Sequence, residues 1–201
     1  VELLISSSSD FSSATTTTGT ISCNTLTFTG VNLTDGDYFT LNYSDVQPIT
    51  WDGTDYANGS GTNEAPSTLD QGRKLVILNP SATLTESASV GCFHIASGAD
   101  VTISSGVELA VQQDIYNLGN LDASEANITL DGNQTQEITG KSLSFGELEV
   151  NNTNGVTINL DADEVLYIDS ILRVTDGNLN TGNALYMRCD FTNGAAQIDE
   201  V

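Results

Sequence analysis

Carboxylates are the most abundant candidate ligands in this chain. Asp35-Gly-Asp37, Asp52 and Asp55 with Asn58, and Asp161-Ala-Asp163-Glu164 each gather two or three oxygen-bearing side chains within one short stretch. Alternating acids on a turn can direct several oxygens at one hard cation. The clusters therefore predict calcium, held by Asp35 and Asp37 or by Asp161, Asp163 and Glu164. None follows an EF-hand or a glycine–aspartate nonapeptide repeat, so each also reads as a solvated acidic turn. No other cofactor is expected. Trp51, the only tryptophan, and Tyr56 lie in a polar stretch and form a candidate aromatic platform for glycans. Cys23, Cys92 and Cys189 are disulfide candidates, and an odd count allows at most one intrachain bridge.

Catalytic chemistry is harder to assemble. His94 is the single histidine, and Cys92-x-His94 alone is too sparse for a zinc site. No G-x-S-x-G elbow is present for a serine nucleophile. The strongest enzyme alternative is a polysaccharide hydrolase or lyase, which needs paired carboxylates in a groove or a basic residue beside calcium. The expectation is that the chain is not an enzyme and has no catalytic residues.

Charge narrows the partners. Asp and Glu number 27 against 5 Lys and Arg, for a formal net charge of −22. Arg73, Lys74, Lys141, Arg173 and Arg188 are too few and too scattered to grip phosphates, which argues against nucleic acid and against anionic membrane surfaces. No run of 18 apolar residues exists, so no membrane insertion is expected. The chain starts at Val1 without a signal peptide and reads as a mature or excised product. Acidity with abundant Ser, Thr, Asn and Gly suggests a secreted, extracellular or cell-surface location.

The elements that must position these residues are strands. Helical periodicity is nearly absent, while apolar runs of three to five residues recur and end in Gly, Asn or Asp. Examples are 25–29 (TLTFT), 38–42 (YFTLN), 74–78 (KLVIL), 107–111 (VELAV) and 156–160 (VTINL). Three stretches share a strand–turn–strand grammar: Leu26/Phe28 then Val31/Leu33, Ile95 then Val101/Ile103, and Leu148/Val150 then Val156/Ile158. This predicts an all-β, right-handed parallel β-helix (β-solenoid) of about eight or nine coils, each of about 20–24 residues. A β-sandwich is the alternative. Residues 1–201 are expected to form one elongated solenoid domain, with a low-complexity segment at 6–18 and a polar loop insertion at 47–72. Leu26, Ile95 and Leu148 are expected in equivalent inward places.

Residues 128–140 (ITLDGNQTQEITG), 143–152 (LSFGELEVNN), 155–160 (GVTINL) and 177–182 (GNLNTG) resemble repeats in long secreted surface proteins of the Bacteroidota. The likeness covers roughly 95–190 and, weakly, the N-terminal third. It implies a right-handed parallel β-helix, an exported adhesin or extracellular scaffold, and export by the type IX route. It carries no catalytic residues. The functional expectation is an extracellular structural or adhesive module that self-associates into a homo-oligomer or end-to-end filament. A module that binds surface glycans is the alternative.

Overall fold

The structure, a computed structural model, describes residues 2–7, 14–18, 20–22, 25–42, 48–57, 65–78, 81–190, 194–195 and 197–200. Among them there is no helix, and hence none long and apolar enough to cross a membrane. The expectation of one domain over 1–201 meets a chain that divides into two compact units, Val1–Val46 and Gln47–Val201. In the first, Glu2–Ser6 lies between Thr15–Thr18 and Tyr38–Asn42 in an antiparallel sheet, and Thr20–Ser22 pairs antiparallel with Thr25–Thr27.

The second unit is a parallel β-solenoid with three faces. The first face stacks Ile49–Trp51, Leu75–Ile77, Phe93–Ile95, Ile115–Asn117 and Gln136–Gly140, then the last part of Leu143–Leu160. The second stacks Ser81–Leu84, Asp100–Ile103, the starts of Asn120–Leu130, Leu143–Leu160 and Leu166–Asn180, and then Leu185–Met187. The third runs through Ala88–Val90, Glu108–Val111, the end of Asn120–Leu130 and the middles of the two long strands to Gln197–Glu200. Long strands arise where the chain turns a corner without leaving the ladder.

Side chains alternate in and out, so each face builds a column of like residues. On the first face Ile49, Leu75, Phe93, Ile115, Ile138 and Ile158 lie in register, each 2% exposed or less. Ala82, Val101, Leu121, Leu143 and Leu166 form the second column. Ala88, Leu109, Ile128, Leu148 and Leu172 form the third. Each buried aliphatic side chain contributes roughly 1.5–3 kcal/mol over its exposed state, and the strands stack about 4.8 Å apart.

The solenoid has about five turns, fewer than the eight or nine expected. Partners in the central coils are 18 to 25 residues apart, so coil length is close to expectation. The shortfall lies in where chain is spent. The runs at 25–29 and 38–42 pair antiparallel in the first unit, and 26 residues separate Ile49 from its partner Leu75. The segment 47–72, expected as a loop, opens with Ile49–Trp51 on the first-face ladder and returns through Tyr56–Ala57 as an antiparallel hairpin.

The expected equivalence of Leu26, Ile95 and Leu148 does not hold. Leu26 is in an antiparallel hairpin, Ile95 is on the first face and Leu148 on the third. All three faces use the same apolar-triplet-and-turn grammar, so an alignment by pattern slips one face without penalty.

Leu148→Ala is expected to cost about 2–5 kcal/mol in denaturant unfolding, because both stacked neighbours lose contact. Thr102→Ala, on the outward side of the second face, should stay within about 0.5 kcal/mol. Equal losses would contradict the in/out assignment.

Candidate functional site

The expected acidic ligands serve first as turn fasteners. Asp37 accepts hydrogen bonds from the Thr34 backbone N–H and hydroxyl, both 2.8 Å, closing the turn that contains Asp35. Asp70 repeats this geometry on Ser67, again at 2.8 Å twice, and is also paired with Arg73. Asp52 accepts from the N–H groups of Thr54 and Asp55. Asp161 and Glu164 close a corner through the Glu164 N–H to the Asp161 carbonyl, and Asp163 sits there with φ 67°. Glu164 then reaches across one coil. Its carboxylate takes the Ser142 N–H at 2.9 Å and the Ser142 hydroxyl, whose oxygen accepts the Val165 N–H. Among the described residues no three His, Cys, Asp or Glu side chains converge on one point. Asn58 lies outside the described residues.

Trp51 and Tyr56 are brought together, with ring centroids 4.8 Å apart. They pack rather than project. Tyr56 is buried at the edge of the core, and the Trp51 indole N–H donates to the Ser81 carbonyl at 3.0 Å. Burial pushes the Tyr56 hydroxyl above its ordinary value. His94 stands edge-on to Tyr116, its neighbour one coil on, at 5.0 Å. Burial and the nearby Lys74 charge lower its pKa, which favours the neutral ring. Cys92 is buried and disulfide-bonded. Cys23 and the side chain of Cys189 lie outside the described residues.

The corners carry a buried carboxamide ladder. Gln136, 1% exposed, donates to the Val111 and Gln113 carbonyls below it and accepts from the Gly132 N–H. Asn152, also 1% exposed, donates to Gln136 Oε1 at 2.8 Å and to the Gln134 carbonyl at 2.7 Å. Asn117, fully buried, donates to the carbonyls of Lys141 and Ser142. These amides satisfy backbone groups where the chain leaves the ladder, which a buried corner otherwise leaves unpaired. Above Asn117 and Asn152 sit Gly140 and Gly177. A Cβ on Gly177 would lie 1.8 Å from the Asn152 carbonyl oxygen, and one on Gly140 would lie 2.0 Å from that of Asn117.

The outer surface of the second face carries one continuous row along the coil axis: Thr83, Thr102, Asp122, Ser144, Tyr167 and Tyr186, each in register with the next. At its aromatic end the two tyrosine rings lie 6.1 Å apart. The Arg188 guanidinium stands 4.4 Å over the Tyr167 ring. Arg188 is anchored by Asp169 through both carboxylate oxygens and donates to Ser144 Oγ at 2.8 Å. Sequence reading missed this cluster. Its signal was Tyr167 and Tyr186, one coil length apart, with Arg188 two residues further on.

Hydrogen bonds hold Asp37, Asp52, Asp122 and Glu164 below their ordinary values. Asp70 is also lowered, its bonds to Ser67 and Arg73 outweighing the opposing effect of burial. Asp131 goes the other way: burial raises it, Glu149 adds repulsion, and its Oδ1 has no hydrogen-bond partner.

Gly177→Ala should destabilise the fold well beyond Gly106→Ala. Both glycines have positive φ, 83° and 72°, but a Cβ on Gly106 would meet nothing within 4 Å. The backbone cost alone is about 1–2 kcal/mol, so urea midpoints that shift equally would remove the contact argument. The five lowered carboxylates contribute stability that is complete above their unfolded values, 3.8 for Asp and 4.5 for Glu. That contribution is lost as the pH falls through their folded values. Asp131 has the opposite sign, its ionisation opposing folding above pH 3.8. Urea midpoints should therefore fall below about pH 4, and Asp131→Asn should raise the midpoint at pH 7.

No protein-family model, curated protein or solved structure matches the chain.

Proposed function

We propose that the chain is an extracellular structural and adhesive β-solenoid module of a secreted bacterial surface protein, assembling end to end into filaments. The observation that carries this reading is the in-register parallel stack itself, whose three columns bury Ile, Leu, Val and Phe while outward side chains align in rows along the axis. Parallel crossover connections favour a right-handed winding, and the coils are assigned that hand. A stack of this kind ends in strands with unpaired backbone, which a second copy can pair. A net charge of −22 keeps the exterior solvated and lets multivalent cations such as calcium govern association by relieving self-repulsion. This reading assigns no catalytic residue.

Light scattering and negative-stain electron microscopy of the full chain, over a range of protein concentrations with and without millimolar calcium, test assembly. The expected result is particles that lengthen with protein concentration, more so with calcium. Monomers under every condition would overturn it.

A further inference from the structure

We propose that Tyr167, Tyr186 and Arg188 form a binding site for neutral saccharide chains on the outer surface of the second face. The row that holds the two tyrosines presents small polar side chains for four coils and then turns aromatic at the same place in two successive coils, with Arg188 just past its last strand. The Tyr186 side chain is 59% exposed, and leaving a large ring in water forgoes the gain that burial elsewhere in the solenoid secures. An exposed aromatic beside fixed polar groups is informative in a way that scattered surface apolar residues are not.

The polar groups are already oriented. Asp169 grips Arg188 through both carboxylate oxygens, Ser144 Oγ accepts from its Nη2, and the guanidinium is laid on the Tyr167 ring. Binding therefore costs little further side-chain ordering. A pyranose offers one apolar C–H face and a rim of hydroxyls that both donate and accept. The Tyr186 ring matches the face. Asp169, Ser144 and the guanidinium edge match the rim, with carboxylate and hydroxyl oxygens as acceptors and N–H groups as donors. Asp169, bound to Arg188, and Asp122, near enough to interact with the Arg188 charge, select against polyanionic glycans within a chain of net charge −22. A neutral chain lying along the coil axis would stack on the exposed Tyr186 ring and meet the Arg188 guanidinium that covers Tyr167. The pair Trp51 and Tyr56 lacks this disposition because it is packed onto the core.

Affinity electrophoresis of the full chain in gels containing a soluble neutral β-glucan, a neutral galactomannan or the polyanion alginate tests the site. The expected result is retardation by at least one neutral polysaccharide and none by alginate alone. Tyr186→Ala should weaken retardation by about tenfold or more, as for truncation of an aromatic anchor. The ring is exposed, so this variant is expected to fold. Leu69→Ala, removing another exposed side chain (90%), should leave binding unchanged. Migration unaffected by either neutral polysaccharide, equal retardation of wild type and Tyr186→Ala, or retardation by alginate alone would overturn the proposal. The site does not depend on filament formation, so this experiment and the assembly experiment fail separately.

Discussion

Burial in the solenoid is created between layers, by aliphatic side chains stacked in register from one coil to the next. A single coil has too few apolar residues to form a core and too many exposed backbone groups to be stable alone. Both deficits are met by the neighbouring coil, which supplies the hydrogen bonds of the ladder and the covering side chains together. The column from Ile49 to Ile158 and its counterparts on the other two faces are therefore the elements on which every surface feature depends. Any register slip would displace all three columns at once.

That dependence explains what happens at the corners. Where the chain bends between faces, backbone groups leave the ladder, yet the corners are still covered by the coil above. Asn117, Gln136 and Asn152 restore the missing bonds from inside, and Gly140 and Gly177 let the next coil descend onto the asparagine carbonyls. The acidic residues act on the outside in a related way. Asp37 and Asp70 hold single turns, while Glu164 spans two coils through Ser142. Part of the negative charge thus sits at positions where hydrogen-bond geometry asks for a carboxylate.

The all-β character and the inward residues were readable because strands announce themselves by alternation and turns by Gly, Asn and Asp. Val101/Ile103 and Leu148/Val150 were recognisable as buried before any pairing was known. The partner of each strand was not readable. Short apolar runs such as 38–42 look the same whether they pair parallel in a coil or antiparallel in a hairpin, so the count of coils came out too high. Register is equally hidden at the candidate sites. The nearness of Trp51 and Tyr56 was legible from their spacing, but not that Tyr56 turns inward. Tyr167, Tyr186 and Arg188 become neighbours only when one coil is laid on the next, and the distance along the chain that achieves this varies from corner to corner.

The corner between the first and second faces has a left-handed residue in two consecutive coils, Asp163 with φ 67° and Asn183 with φ 66°. Both are types that tolerate this conformation. Extra residues placed there would bulge into solvent without moving any column of stacked side chains. The fold can thus diversify along one edge while its interior stays unchanged, and new recognition loops could be added at that edge without redesigning the scaffold.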